Sequence, residues 1–334
     1  MKWLVTGAGG FLGRYVVEAA LASGHAVRAL LRPVSPAPSG WESDPRIEIV
    51  RGDLRARGTG EAMVEGVDGV IHLAAAKEGD LYEQFAGTVL ATENLIDAMR
   101  SQGVRRMVLA GSFAVYEYLD RPAVSLLDET TPLAMDPTAR DEYCQTKLVQ
   151  ERLVRRAAEE AGWRCVILRP GVIFGPDNLW NGRVGFAAGQ RWWVCTGSGG
   201  LLPVAYVENC AEAFVKAAEY DGAPGTQILN VVDEDLPTHL AYLREMRRAS
   251  GEHARILPLP WPVMRLLAAS AALVNRLFFK GTAKLPGLLI PARVHARCRP
   301  MRYSNARIRA VLGWAPRYGW RSGIARSTSG AADA

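Results

Sequence analysis

The first thirteen residues, MKWLVTGAGGFLG, constrain the fold more than any other stretch of the chain. Trp3, Leu4 and Val5 form a short apolar run that fits a buried parallel strand. Gly7, Gly10 and Gly13 follow at a spacing of three, and residues 14–22 read as a helix with Val16, Val17 and Ala20 on one face. Strand, glycine turn and helix in this order form a cradle for a dinucleotide. Gly7 permits a tight turn, and Gly10 lets a pyrophosphate approach the backbone at the helix N-terminus. Gly13 lets the helix sit close on the strand.

The remainder of the chain supports a strand–helix alternation. Residues 25–31, 47–50, 69–73, 107–110 and 165–168 read as further strands, and helical stretches at 60–67, 81–100 and 143–161 separate several of them. Residues 33–45 hold four prolines without periodicity and read as a loop. Such an alternation predicts an α/β fold, a doubly wound parallel Rossmann sheet, with ligands beyond the C-terminal ends of the strands. The expected division is a nucleotide-binding domain over 1–176, a smaller C-terminal substrate-binding lobe over 177–326, and a disordered tail over 327–334.

Several residues fall at those strand ends. The second strand ends at Arg32 with no acid before Glu42. An acid there would bind the ribose hydroxyls of NAD, whereas an arginine suits a 2′-phosphate, so NADP is the expected cofactor and NAD the alternative. Asp53 fits either an acceptor for the adenine amino group or a turn residue. Leu73, Ala74 and Ala75 close the fourth strand with small residues against which a cofactor can lie.

The chain's charge and cysteines narrow its class. It has 334 residues, 49% apolar and 22% charged, as expected of a soluble globular protein. The glycine turn leaves no room for a signal peptide, and no apolar run reaches the roughly 18 residues of a spanning helix. Five scattered cysteines without a CxxC pair suit a reducing cytoplasm and argue against a disulfide framework, and the histidines lack metal-ligand spacing. The net charge is +6, but residues 281–334 hold ten Lys or Arg against one Asp. No nucleic-acid-binding module accompanies that charge, so a small-molecule substrate is the expected partner. A homodimer is compatible with the sequence.

The stretch YCQTK places Tyr143 and Lys147 one turn apart on one helix face. A tyrosine with a reference pKa near 10 is a poor proton donor and acceptor at neutral pH, and an adjacent ammonium favours its phenolate. Ser112, on the loop after the fifth strand, is placed to hydrogen-bond a substrate oxygen as its charge changes.

Taken together, TGAGGFLG, GDL at Gly52, HLAAA at His72, AGSFAVYE at Ala110, YCQTK, LRPGVIFGP at Leu168, AYVENCAEA at Ala205 and LGWAP at Leu312 resemble one family. It is the extended short-chain dehydrogenase/reductases, comprising the epimerase/dehydratase and 3β-hydroxysteroid-dehydrogenase group. The resemblance covers nearly the whole chain. It implies an enzyme with a catalytic set of Ser112, Tyr143 and Lys147, and cofactor contacts at Gly7, Gly10, Phe11, Leu12, Asp53, Leu54 and Ala74. Pro170 and Val172 match backbone positions beside the nicotinamide, and Phe113, Asn178 and Trp180 are expected on the substrate side. The chain departs from the family at Thr88, where an asparagine is common, and at Gly111, where a serine precedes the catalytic one.

The leading expectation is NAD(P)-linked oxidation or reduction at a hydroxyl-bearing carbon. A nucleotide-sugar epimerase/dehydratase and a non-catalytic NADP-binding regulator are the alternatives. Sugar-nucleotide members carry an asparagine where this chain has Val172, and an arginine near Leu201, Leu202 and Pro203. Arg299 and Arg302 remain as candidate phosphate ligands. Residues 197–200, GSGG, read as a flexible loop. The apolar segment 258–279 reads as a buried or interfacial helix, with packing or lid formation ranked above membrane contact. It favours an apolar substrate.

Overall fold

A computed structural model of the chain describes residues 1–58, 60–180, 182–189, 191–280, 282–283 and 285–329. The first half alternates strand and helix: β1 (Lys2–Thr6), α1 (Phe11–Ala22), β2 (Ala26–Leu31), β3 (Ile47–Arg51), α2 (Gly60–Val64) and β4 (Gly69–His72). Next come α3 (Leu81–Phe85), a π-helical turn (Ala86–Leu90) and α4 (Ala91–Ser101), then β5 (Arg106–Ala110), the short β6 (Leu126–Leu127), α5 (Glu142–Ala161) and β7 (Arg164–Pro170). The helix expected as one piece over 81–100 is thus interrupted by a wide turn. There Gly87 approaches Ala76 so closely that a Cβ would lie 2.8 Å from the Ala76 Cβ.

The second half contributes β8 (Val172–Phe174), β9 (Gly185–Ala188), β10 (Trp192–Thr196), β11 (Val204–Tyr206), α6 (Val207–Glu219) and β12 (Gly225–Val231). It ends with α7 (His239–Ala249), β13 (Arg255–Leu259), α8 (Trp261–Phe279), α9 (Pro291–Cys298), β14 (Arg302–Tyr303), α10 (Ala306–Leu312) and α11 (Trp320–Ser329). Ser327 to Ser329 therefore close a helix, where the sequence suggested a disordered tail; the rest of that stretch lies outside the described residues.

Seven strands form one parallel sheet in the order β12-β7-β5-β4-β1-β2-β3. Its strands are apolar because both faces are covered. On one face α1 and α6 bury Val16, Val17, Phe214 and Ala217 against Val5, Ile71 and Val108. On the other, α2, α4 and α5 bury Met63, Leu95, Met99 and Val154 against Leu4, Val70 and Leu109. The strand order reverses direction between β1 and β4, and a crevice opens there at the carboxyl ends.

Smaller sheets extend this core. β10 pairs with β9 and β13, β8 with β11, and β6 with β14. Asn209 of α6 ties two distant motifs together. Its side chain donates to Asp233 Oδ1 and the Tyr318 carbonyl, and accepts from the backbone N–H groups of Arg317 and Tyr318. The GSGG stretch closes as a turn with Gly200 N donating to Gly197 O at 2.8 Å. Gly197 lies against α9, where a Cβ would come within 3.0 Å of the Cys298 Cα, so this is a packed turn rather than a flexible loop.

Helix α8 departs most from expectation. It packs on the body through Met264, Ala268 and Asn275 and leaves Leu266, Leu267, Leu273 and Val274 exposed, so of the two expected forms it is not the buried one. At 19 residues it is also long and apolar enough to cross a membrane, where no run of that length was expected. The segment is apolar enough for a core, but its neighbours cover only one narrow stripe of it.

Candidate active site

The glycine turn has the geometry its spacing predicts. Gly7 adopts φ +68°, and a Cβ there would lie 3.0–3.2 Å from the backbone of Leu73 and Ala74. Only glycine meets both demands without strain. A Cβ on Gly13 would fall on the carbonyl oxygens of Gly7 and Ala8, so the third glycine lets α1 sit on the turn. Gly10 precedes α1 in an extended conformation and donates its N–H to Gly7 O at 3.0 Å. This bare backbone at a helix N-terminus fits a pyrophosphate. Phe11 and Leu12 begin α1; the Phe11 ring packs toward Gly175, and Leu12 bridges two core clusters.

Around the turn, the other expected cofactor residues line the C-terminal edge of the sheet. Leu73 N donates to Thr6 O, and Ala74 N to Thr6 Oγ1, which holds the segment after β4 beside β1. Ala75 follows, half-buried. Arg32 is exposed just past β2, and its charge reaches Asp53 past β3. The Asp53 carboxylate accepts from Arg55, side chain and backbone, and this holds its pKa below the usual carboxylate range. The Leu54 side chain is buried in the core and its carbonyl accepts from Asn94, so only backbone is offered there. Pro170 ends β7, and Val172 in β8 donates its N–H to Pro203 O at 2.6 Å.

The catalytic set assembles where β5 ends. Ser112 N-caps a short 3₁₀ turn, and its oxygen accepts from Ala114 N at 3.1 Å. Asp141 caps α5 by accepting from Cys144 N, which fixes the turn carrying Tyr143. Arg140 clamps the two segments together, donating to the carbonyls of Tyr116 and Ala114 at 3.0 Å each. Ser112 is thereby brought to Tyr143, close enough to act on the titration of its hydroxyl. Burial pushes the Tyr143 pKa up, while Ser112 and the guanidinium of Arg183 bring it down.

Lys147 lies beside Tyr143 with its ammonium turned into the protein. Its ammonium is 5.9 Å from the Tyr143 ring centroid and is buried, donating to Ala110 O and Gln150 Oε1 at 2.8 Å each. Burial and the charge of Lys77 pull its pKa down to about 7. Ser112 and Arg183 also favour the phenolate. Behind the lysine runs a closed polar network. Gln150 Nε2 donates to Thr92 Oγ1 at 2.8 Å, Thr92 is 2.9 Å from His72 Nε2, and His72 Nδ1 is 2.7 Å from Thr6 Oγ1. It links Lys147 to the strand that carries the glycine turn. Thr88, at the family's asparagine position, instead accepts from Ala76 N at 3.0 Å.

The departure at Gly111 has a steric cause. Arg169 and Glu151 form a buried ion pair at 2.6 Å, each side chain 2% exposed. A Cβ on residue 111 would lie 2.6 Å from Glu151 Oε1 and 3.0 Å from Arg169 Cγ. A serine does not fit beside that pair.

The expected substrate-side residues are not all brought to the site. Phe113 is 1% exposed, stacked on Tyr303 at 5.8 Å and edge-on to Tyr116, so its ring belongs to the core. Asn178 spends its side-chain amide on the Ile173 carbonyl. Trp180 packs edge-on against Trp193 of β10 and stays 38% exposed. Arg299 donates through Nη1 to the carbonyls of Tyr118 and Leu119 and lies 3.0 Å from His295 Nδ1, and Arg302 donates through Nε to that of Val124, so each is tied in part to backbone. The sequence reading missed Arg140, Gln150 and Arg183. Gln150 carried a local signal, three residues after Lys147 on the same helix face. Arg183 carried none: it comes from a distant loop, whose carbonyl is held by His239 and Thr196.

Comparison with known proteins places this geometry. Over 94% of the chain and 85% of its own length, the 3 beta-hydroxysteroid dehydrogenase/Delta 5-->4-isomerase of Mycobacterium tuberculosis is 29% identical to it. The human sterol-4-alpha-carboxylate 3-dehydrogenase, decarboxylating, is 29% identical over 70% of the chain and 62% of its own length. UDP-glucose 4-epimerase from Bifidobacterium longum, solved with NAD+ and UDP, shares the fold at a TM-score of 0.74 and 18% identity, over 100% of the chain and 98% of that structure. The profile of the NAD dependent epimerase/dehydratase family matches residues 3–231, from the glycine turn to the last strand of the large sheet. The chain therefore belongs to the NAD-dependent epimerase/dehydratase family, within the extended short-chain dehydrogenase/reductases.

Proposed function

We propose that this chain is an NADP(H)-preferring oxidoreductase that interconverts a hydroxyl and a carbonyl group on a predominantly apolar small molecule. The observation that carries it is the meeting of Ser112 and Tyr143 at the end of β5, clamped by Arg140. When bound, the nicotinamide exchanges hydride with the reacting carbon. Tyr143 gives or takes the proton at the substrate oxygen, and Ser112 hydrogen-bonds that oxygen as its charge changes. Arg183 favours the phenolate form of Tyr143, and Gln150 holds the Lys147 ammonium beside them.

Support for an apolar substrate comes from what replaces the expected diphosphate ligands. Val172 and Leu202 are buried beside β8 and β11, and Arg299 and Arg302 each donate to backbone carbonyls. The relatives named as hydroxysteroid and sterol dehydrogenases favour a sterol- or terpenoid-sized ketone. Arg32, at the end of a strand that offers no acid, supports NADP.

Calorimetry with NADPH, NADH, UDP, dTDP and a panel of apolar ketones tests both parts. The expected result is tighter NADPH binding, lost in Arg32→Ala, and ketone binding with turnover. Tyr143→Phe should lose at least ~10²-fold in turnover while keeping cofactor affinity. Tighter NADH binding refutes the cofactor preference. Micromolar UDP or dTDP binding with no response to ketones establishes the epimerase/dehydratase alternative instead.

A further inference from the structure

Helix α8 is 19 residues long, and only 17% of its most apolar window is buried. Its covered stripe is narrow. Met264 and Ala268 pack on Val294 of α9, with Leu259 and Leu288 beside them. Asn275 exchanges two hydrogen bonds with Ala283, at 2.9 and 3.1 Å. At about 100° per residue these three positions fall along one line of the helix. Leu266, Leu273 and Leu277 fall on the opposite face, and Leu267, Val274 and Phe278 continue it along one flank, across from the arginines; each is 47–76% exposed. A contiguous patch of large apolar side chains on this scale marks an interaction surface.

Charge selects the partner. Arg265 and Arg276 lie between the buried stripe and the apolar face, and Lys280 follows the last turn; all three are exposed. No acidic residue lies on α8 itself; farther along the chain Arg293, Arg309 and Arg326 are paired with Glu142, Glu234 and Glu208, so the charge at this face is that of Arg265, Arg276 and Lys280. Two copies of such a face repel one another, whereas an anionic lipid surface neutralises them. A spanning orientation would pull Met264 and Ala268 from α9 and carry Arg265 and Arg276 into hydrocarbon, at large cost.

We propose that α8 lies in the interfacial plane of an anionic bilayer, with its exposed apolar face in the acyl region and Arg265, Arg276 and Lys280 at the lipid phosphates. The helix it rests on leads to the catalytic end. Arg293 of α9 lies 3.6 Å from Glu142, the residue before Tyr143. Docking therefore sets the site one helix away from the membrane surface. The proposal rests on this surface alone and stands whatever the substrate.

The test is sedimentation of the full chain with vesicles of phosphatidylcholine, with and without phosphatidylglycerol. Binding to the phosphatidylglycerol vesicles that weakens with salt is expected. The combined variant Leu266→Ser, Leu273→Ser, Leu277→Ser and Phe278→Ser should bind about tenfold more weakly or worse. These side chains are more than half exposed, so its thermal transition should match the parent's. Arg265→Gln with Arg276→Gln leaves the apolar face untouched and should weaken binding to the anionic vesicles several-fold. The proposal is overturned if the parent chain binds neither vesicle, or if both variants bind as it does. It is equally overturned if light scattering finds a dimer that the serine variant dissociates, because a second copy then covers the face. Resistance to a carbonate wash overturns the in-plane orientation.

Discussion

The ammonium of Lys147 donates to the side-chain oxygen of Gln150 at 2.8 Å, and the amide of Gln150 passes the contact on to Thr92 at 2.8 Å. The lysine is thus held from behind by a buried chain that ends at Thr6 on β1. The same strand leads into Gly7. Lys147 and the glycine turn are therefore joined through buried polar contacts.

Gln150→Leu removes the acceptor that stabilises the charged lysine. A hydrogen bond to a charged group is worth about 1.5–3 kcal/mol, and one pKa unit corresponds to about 1.4 kcal/mol. The Lys147 pKa, already near 7, should fall by about one unit or more. Activity that needs the ammonium then disappears at lower pH. The alkaline limb of the kcat profile should move down for Gln150→Leu and up for Gln150→Glu. Unchanged limbs in both variants would refute the positioning role.

Arg183→Gln takes a positive charge from beside Tyr143. The guanidinium favours the phenolate, so its loss should raise the tyrosine pKa. In the oxidation direction, where Tyr143 acts as base, the rise of kcat/KM with pH should shift to higher pH. The shift, not a fall in the maximum rate, separates this role from a structural one. Cofactor affinity should remain within about twofold, since the groups that Arg183 acts on are Tyr118, Tyr143 and Tyr303.

Glu151→Gln leaves Arg169 charged and buried without its carboxylate. Breaking a buried pair from one side costs about 3–5 kcal/mol. A clear drop in thermal stability is expected, readable by calorimetry. Gly111→Ser should also destabilise, because its side chain would press on the same pair. A stable Gly111→Ser protein would show that the pair can yield.

His239 is buried, and burial depresses its pKa from 6.5 to about 4. Above pH 6.5 the ring is neutral in both folded and unfolded chains. As pH falls below 6.5 the unfolded chain takes up the proton first, so stability is lost progressively down to about pH 4. His239→Asn keeps a donor for the Arg183 carbonyl and removes the titration. Its melting temperature should fall less between pH 6.5 and 4 than that of the parent chain.

The sequence alone determined the sheet and the glycine turn and singled out Ser112, Tyr143 and Lys147 as candidates, because these are written in local patterns. Glycines at a spacing of three demand φ and close approaches that only they allow, and continuous apolar strands imply a sheet covered on both faces. Tertiary structure decided what depends on atoms far apart in the chain. Arg183 reaches Tyr143 from a loop 40 residues on. The Arg169–Glu151 pair excludes a serine at Gly111, and the aromatic ring of Phe113 is taken into the core by Tyr303. Helix α8 shows the same division most plainly. Its composition announced an apolar helix, but whether that surface faces protein or open surroundings is set by the neighbours packed against it, and they cover only the stripe of Met264, Ala268 and Asn275.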